Sequence, residues 1–483
     1  MTGRSSKVSA LAGWVDIEPG EGRVLAWSFL YVFALFVAYY VLRPIRDELG
    51  VAGGVRNLPW LFTGTLVTML VLSPLFGWLV RRWPRRRFIA LVNRFFILDL
   101  LLFAVGLSVM EPGQMVWVGR AFFIWVSVFN LFVVSVFWSL MVDVFDVGQG
   151  KRLFGVLAAG ATAGGMLGSA LISLGVEAVN PYWLLLMAAV LLEVAVQASR
   201  RVLHLHTRQT QAERSARASV SSFHESEKGA HENVSNARIQ AQRHTLKNGQ
   251  PSDGRHRNGA WPSEGRSAES DERGAGGSVW AGLTHTLRSP YLLGISAYIL
   301  LYTVTSTYLY FQQAEIAEGY FASRAERTAF FARIDLWVNG LTLLFQLFIT
   351  ARLTRSLGII IVLSMLPVIS VIGFASLGLW ASVWLFVAVQ VVRRVSNFAF
   401  AKPTREILFT AVPSEDRYKA KNFIDTVIYR SGDQIGSWSY AALGALGFGM
   451  TGISLLTVPL CVLWVALSIW LGRKQQRLNA MQG

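Results

Sequence analysis

Charged residues are scarce in this 483-residue sequence, at 15% of the chain, whereas soluble proteins have about a quarter. Histidine is absent from the long apolar runs, which also lack a Gly-x-Ser-x-Gly turn, metal-ligand spacing and a P-loop. The single cysteine, Cys461, excludes an intrachain disulfide. We therefore expect no enzymatic site, no cofactor and no metal site.

Hydrophobic residues are abundant instead, at 53% of the chain. They form runs of roughly 20 residues, long enough to cross a hydrocarbon core about 30 Å thick. These runs predict an all-α polytopic membrane protein with about twelve transmembrane helices in two pseudo-symmetric six-helix bundles. The predicted spans are 24–43, 58–80, 88–110, 115–140, 152–175 and 181–198, then 288–312, 333–351, 357–380, 382–410, 421–446 and 450–472.

The basic residues predict the orientation in the bilayer. The net charge of +16 is spread over short loops, with five arginines within residues 81–87, so we expect lipid head groups and not nucleic acid as its partner. The positive-inside rule places these loops and both termini in the cytoplasm, and we expect a bacterial inner membrane. The predicted parts are a tail at 1–23, bundles at 24–198 and 278–472, a linker at 199–277 and a tail at 473–483.

The linker at 199–277 is rich in Ser, Arg, Glu, Gly and Asn and has few apolar residues. Such a segment buries too little apolar surface to offset its ordering entropy, so we expect it to be disordered and cytoplasmic. Six of the seven histidines lie in it, and we interpret them as solvated side chains rather than metal ligands.

An internal repeat connects the two halves. A lysine followed by GxxxGS occurs in each half at one common offset, as Lys151, Gly164, Gly168 and Ser169, and again as Lys419, Gly432, Gly436 and Ser437. Although GxxxG is common where membrane helices pack closely, agreement at four positions favours a duplication. Two similar six-helix halves joined by a long cytoplasmic loop are typical of the major facilitator architecture.

Ionisable residues in apolar spans are costly, so each is a candidate functional residue. The end of the first span carries Arg43, Arg46 and Asp47, and Arg43 can pair with Asp47 four residues on if Pro44 does not break the turn. The alternative is an orientation anchor whose arginines snorkel to the interface.

Two further clusters lie in the tenth and eleventh spans. The tenth span carries Arg393, Arg394, Lys402, Arg405 and Glu406, and the eleventh carries Lys421, Asp425, Arg430 and Asp433. Their spacing predicts the pairs Lys402–Glu406, Lys421–Asp425 and Arg430–Asp433. Because bases outnumber acids around the presumed central cavity, we expect a small anionic solute, phosphorylated or carboxylated.

Four stretches resemble the ATP/ADP carriers of plastids and intracellular bacteria, a branch of the major facilitator superfamily. They are "YYVLRPIRDELGV" (39–51), "QGKRLFGVLAAGATAGGMLGS" (149–169), "SPYLLGISAYILLYTVTSTYLYFQQ" (289–313) and "KPTREILFTAVPSEDRYKAKNFIDTVIYRSGDQIGS" (402–437). The resemblance implies a nucleotide antiporter, for ATP and ADP or another nucleotide, whose basic residues hold phosphates. The candidate substrate-binding residues are Arg43, Arg46, Asp47, Lys151, Arg152, Lys402, Arg405, Glu406, Lys421, Asp425 and Arg430.

Two positions depart from that family's pattern. Asn130 lies where members of that family share an acidic residue, and Asp433 lies where they tend to carry a lysine. An acid in place of a base weakens the binding of a triphosphate through like-charge repulsion. The alternatives are a proton-coupled carrier of another solute, using Asp99 or Asp425, and a non-transporting membrane sensor or scaffold. Asp99 is equally expected to be a structural acid that is paired inside the protein. We expect a monomer.

Overall fold

The computed structural model describes residues 17–18, 20–83, 85–109, 112–245, 289–412, 420–421 and 423–480. Within these ranges every regular element is helical. The N-terminal half contains α1 (Glu21–Ala52), α2 (Leu58–Arg82), α3 (Arg85–Val109), α4 (Pro112–Val144), α5 (Val147–Gly175) and α6 (Pro181–Thr245). The C-terminal half contains α7 (Pro290–Tyr320), α8 (Arg324–Phe348), α9 (Thr350–Leu379), α10 (Val383–Leu408), α11 (Tyr429–Ala445) and α12 (Met450–Ala480).

Eleven of these helices, all except α11, are long and apolar enough to cross a membrane, counted over the described residues. The short α11 lies within the predicted eleventh span and follows a π-helical turn at Ile424–Ile428. A second π-helical turn, Asn397–Ala401, lies inside α10. The prediction of an all-α polytopic membrane fold is confirmed.

Helix caps place the starts of two helices that matter for the site. At α8, the Ser323 side chain accepts from the Glu326 backbone N–H, and the Glu326 carboxylate accepts from the Ser323 N–H in return. At α5, Asp146 and Gln149 form the same reciprocal box. Each box satisfies two backbone N–H groups that a helix start otherwise leaves without a partner.

The repeated glycines have the same packing role in each half. An ideal Cβ added to Gly164 or Gly168 of α5 would lie 2.5 Å or 2.6 Å from a backbone carbonyl oxygen of α1. An ideal Cβ added to Gly432 or Gly436 of α11 would lie 2.8 Å from a threonine Cβ of α7. Only glycine allows such close approach, so α5 packs against α1 as α11 packs against α7.

The predicted disorder of the linker at 199–277 is wrong for its first part. Residues 199–245 continue α6 as helix, and residues 246–277 lie outside the described residues. Between 199 and 245 the sequence has one glycine, Gly229, and no proline. Local helix propensity therefore outweighs the shortage of apolar residues there. By contacts the chain divides into two units, Met1–Leu203 with Gly277–Gly483, and His204–Gly276.

Candidate functional site

The end of α1 carries the first predicted cluster. Although Pro44 lies inside it, α1 continues to Ala52, so Arg43 and Asp47 keep the same helix face. The Arg43 Nε atom lies 4.0 Å from Asp47 Oδ2. The predicted pair is therefore present, at the outer limit of an ion pair.

Asp47 has closer partners than Arg43. The Arg46 Nε and Nη2 atoms lie 2.9 Å and 2.5 Å from Asp47 Oδ1, and the Tyr310 hydroxyl of α7 donates to the same oxygen at 3.0 Å. The Arg46 guanidinium also lies over the Phe123 ring of α4, 5.0 Å from its centroid. Asp47 is 3% exposed, so its charge is stabilised by protein groups of both halves.

A second buried carboxylate, Asp335 of α8, extends this cluster into the C-terminal half. Arg43 Nη1 lies 3.3 Å from Asp335 Oδ1, and Arg394 Nη2 of α10 lies 2.6 Å from the same oxygen. The side chains of Arg394, Asp335, Arg43, Asp47 and Arg46 thus alternate in charge. We call these five residues the arginine ladder; three cations and two anions leave it with one excess positive charge.

The two adjacent arginines of α10 have separate roles because successive helical residues point about 100° apart. Arg394 belongs to the ladder, whereas Arg393 is 2% exposed and packs inside the C-terminal half. Its guanidinium donates to the hydroxyls of Ser370, Ser306 and Thr305 at 2.9, 2.9 and 2.5 Å. Arg393 therefore joins α7, α9 and α10, and its contacts are structural.

A second ion-pair group joins the halves where α1 ends and α8 begins, an end that we call the closed end. Glu48 is 3% exposed and accepts from Arg324 Nε at 3.0 Å and from Arg327 Nη2 at 3.3 Å. The Arg327 Nη1 atom also donates to the Phe321 carbonyl oxygen at 3.1 Å. Because the Ser323 cap fixes the start of α8, both arginines are held toward α1. We call Glu48, Arg324 and Arg327 the clasp.

Uncharged contacts also join the halves toward this end. Gln434 and Trp438 of α11 both contact the Thr63 hydroxyl of α2, at 2.9 Å and 3.1 Å, and the Trp438 and Trp60 rings meet edge to face at 4.9 Å. One buried cluster includes Val55 from the N-terminal half together with residues of α7, α8, α9 and α10.

At the opposite end of the bundle, the described ion pairs lie within one half or the other. In the N-terminal half, Arg152 Nη2 of α5 lies 3.0 Å from both Glu18 Oε1 and Glu21 Oε1. Lys151 belongs to α5 through its backbone, and its side chain lies outside the described residues. Arg152 is therefore occupied by the start of α1 and does not face the ladder.

In the C-terminal half, the predicted pairs Lys402–Glu406 and Lys421–Asp425 are wrong, because Glu406, Lys421 and Asp425 have partners in the neighbouring segment. Lys421 pairs with Glu406 rather than Asp425, and Arg405 Nη2 lies 3.5 Å from Asp425 Oδ1. Lys402 is exposed. The π-helical turn at 424–428 bonds each residue to the fifth one along, so residues four apart no longer lie above one another.

Three other predicted positions have simpler outcomes. Arg430 Nη1 lies 3.2 Å from Asp433 Oδ2, as the spacing predicts. Asp99 accepts from the Trp125 indole N–H at 2.9 Å, so the acid that was a candidate proton site has a structural donor. Asn130 is half-buried in α4.

Asp335 and Glu48 are site residues that sequence reasoning missed, whereas Tyr310 lies in the polar stretch 302–313 that is a candidate cavity wall. Asp335 lies within the predicted span 333–351, where the rule about intramembrane charges identifies it. Glu48 lies beyond the predicted end of the first span at residue 43. The pairing of Asp335 with Arg43 joins positions far apart in sequence, which local spacing cannot predict.

Comparison with known proteins gives the family. The pattern that describes the Major Facilitator Superfamily matches residues 24–403 of this sequence. The chain belongs to the Major Facilitator Superfamily. It is therefore a multi-pass membrane transporter, as the major facilitator architecture predicted.

The relatives share the fold at low sequence identity. A D-xylose–proton symporter superposes with a TM-score of 0.58 at 11% identity, over 95% of this chain and 97% of that one. A POT family transporter in complex with a thioalcohol-conjugated peptide gives 0.57 at 12% identity, over 94% and 96%. The ADP,ATP carrier protein 2 of Chlamydia pneumoniae is 22% identical over 217 residues, 39% of this chain and 40% of that carrier. The aligned region thus spans well under half of the carrier's length.

Proposed function

We propose that this transporter exchanges anionic solutes, nucleotides or other phosphorylated compounds, by alternating access between its two halves. The observation that carries the proposal is the arginine ladder, a buried cluster with one excess positive charge where the halves meet. In major facilitator transporters the substrate site lies near the bilayer midplane at the interface of the repeats. A cationic cluster at that interface favours an anion.

The chemistry of the ladder favours oxyanions. Guanidinium groups present planar pairs of N–H donors that match the oxygens of a phosphate or a carboxylate. The side chains of Arg43, Arg46 and Arg394 are 20, 14 and 14% exposed, against 4% and 3% for Asp47 and Asp335. The arginines are therefore the members that a solute reaches.

The similarity to a chlamydial ADP,ATP carrier supports a nucleotide as the anion. The environment of Arg430 supports an anion with less charge than ATP, because the guanidinium of Arg430 is already paired with Asp433 at 3.2 Å. An ADP-like or monophosphorylated solute requires fewer free cations than a triphosphate does.

The contacts also support an assignment of the conformation. Inter-half contacts of the ladder and the clasp lie from the middle of the bundle to the closed end, whereas the described ion pairs at the other end stay within one half. The positive-inside rule puts the closed end at the periplasm and both termini in the cytoplasm. We infer an inward-open conformation in a bacterial inner membrane.

Binding is tested first, with purified protein in detergent and a thermal-shift screen of ADP, ATP, AMP and inorganic phosphate. A ligand that binds only the folded state at 100 times its Kd adds about 2.7 kcal/mol of apparent stability. We expect a positive shift with at least one of the phosphorylated compounds, and the shift should disappear in Arg43→Gln. Arg333→Gln is the matched control, because Arg333 is 62% exposed and its ion-pair partner among the described residues is the equally exposed Glu177, at 3.7 Å.

Transport is tested next in liposomes preloaded with ADP. Uptake of labelled ATP or ADP should depend on internal nucleotide, and Arg43→Gln should lower it at least tenfold while Arg333→Gln leaves it near wild type. Folded protein that neither binds nor exchanges any nucleotide or organic phosphate would contradict the substrate class. Uptake that follows the proton gradient and ignores internal nucleotide would favour the proton-coupled alternative.

A further inference from the structure

Asp335 is a carboxylate of the C-terminal half that holds a cation from each half. Its Oδ1 atom contacts Arg43 of α1 at 3.3 Å and Arg394 of α10 at 2.6 Å. Its Oδ2 atom is buried and has no hydrogen-bond partner among the described residues. Asp335 thus uses one oxygen to connect the two halves.

This connection is costly to break. Asp335 is 2% exposed, and separating a buried ion pair leaves each charge without its partner in a medium of low dielectric constant. When the halves rock, Asp335 stays fixed to α8 and cannot follow Arg43. A solute anion differs because it is free to move with the two guanidinium groups.

We propose that Asp335 is the resident counter-ion that locks the empty transporter, and that the substrate's anionic group replaces it on Arg43 and Arg394. This inference rests on the proposed anion exchange. The loaded transporter changes conformation because its counter-ion is mobile, whereas the empty transporter is held because its counter-ion is tethered. The lock accounts for exchange instead of net leakage, since return without cargo requires breaking the Arg43–Asp335 pair.

The exposures of these side chains agree with this order of events. The side chains of Arg43 and Arg394 are 20% and 14% exposed, whereas the side chain of Asp335 alone is 3% exposed. An arriving anion therefore meets the guanidinium groups first, with Asp335 behind them. Each guanidinium has five N–H donors, so both can bind the anion before they release the carboxylate.

The test uses the empty protein and needs no knowledge of the substrate. The single cysteine, Cys461, is buried, and Cys461→Ala gives a background without thiols. Val55→Cys then introduces a reporter at the closed end, where Val55 is 8% exposed and belongs to the buried cluster shared by both halves. A membrane-impermeant maleimide reaches this thiol when the closed end opens.

We expect Asp335→Asn to accelerate maleimide labelling of the empty reporter protein roughly tenfold or more, because close charge pairs at interfaces have large coupling energies. The double variant Asp335→Asn/Arg394→Gln removes one charge of each sign and should show the same acceleration in a ladder of unchanged net charge. Arg333→Gln removes an exposed inter-half pair and should label at the unmodified rate. A thermal-unfolding scan of each variant shows that it is folded.

Two results would overturn the lock. One is labelling at the unmodified rate in both folded Asp335 variants, and the other is equal acceleration in Arg333→Gln. A separate readout is efflux of preloaded ADP into buffer without external anion, which the lock suppresses in the unmodified protein and Asp335→Asn permits. If labelling accelerates but no phosphorylated compound is ever transported, the lock stands and the proposed substrate class fails.

Discussion

Replacing Gly168 of α5 with alanine is expected to destabilise the N-terminal half. A Cβ at this position would lie 2.6 Å from the Val37 carbonyl oxygen and 2.9 Å from the Tyr40 Cβ atom, both in α1. The first of these contacts is with backbone, which cannot turn away as a side chain can. The two helices must therefore separate along their shared seam.

The magnitude follows from two opposing effects. Extra methyl groups in a well-packed interior cost about 1–3 kcal/mol, whereas Gly→Ala in a helix gains about 1 kcal/mol from propensity alone. For Gly168→Ala the packing cost exceeds the gain, and the free energy of unfolding should fall by up to about 2 kcal/mol. Gly155 of the same helix has nothing within 4 Å of an added Cβ, so Gly155→Ala should show only the gain.

Both variants are heated in the same detergent. The loss of the monodisperse peak on size-exclusion chromatography measures how much of each variant has unfolded at each temperature. The unfolding temperature should fall for Gly168→Ala and should stay or rise for Gly155→Ala. If Gly168→Ala were as stable as Gly155→Ala, the close contact of α5 with the α1 backbone would be refuted.

Three further predictions concern the closed end, the ladder and the linker. Glu48→Gln removes the carboxylate of the clasp. The maleimide labelling rate of a closed-end cysteine should rise several-fold relative to the same reporter protein with Glu48 intact. Tyr310→Phe removes a donor to the charged Asp47 and should cost about 1.5–3 kcal/mol of unfolding free energy, while Tyr308→Phe, whose hydroxyl donates to a serine at 2.9 Å, should cost only about 0.5–1.5 kcal/mol. Deletion of 246–276 should leave most transport activity in liposomes, whereas a scaffold that acts through the linker would lose its function.

The sequence alone was sufficient to predict the helices and many of the charged residues of the site. Apolar runs predict spans because a bilayer requires both length and hydrophobicity, and the helices lie where the runs are. Arg43 with Asp47 and Arg430 with Asp433 pair as their spacing predicts, because each pair lies on one continuous helix.

The ion pairs that local spacing did not predict involve a second helix. Lys421 and Glu406 meet only because the end of α10 lies beside the segment before α11, and Asp335 reaches Arg43 only because α8 packs against α1. Spacing along one segment carries no information about which segment lies opposite. The prediction of disorder at residues 199–245 failed for another reason. Composition measures the apolar surface available for burial and not the local preference for helix.

Because the ladder carries one excess positive charge, we expect the conformational equilibrium of the empty transporter to depend on the membrane potential. Moving one elementary charge across a membrane potential of 100 mV is worth about 2.3 kcal/mol, and this energy contributes in proportion to the part of the field that the excess charge crosses when the halves rock. In an energised cell, whose interior is negative, the empty ladder is drawn toward the cytoplasmic side. A cargo with one negative charge would cancel the excess charge and uncouple the conformational equilibrium from the membrane potential, whereas an ADP-like cargo carries more than one and would reverse the sign of the dependence.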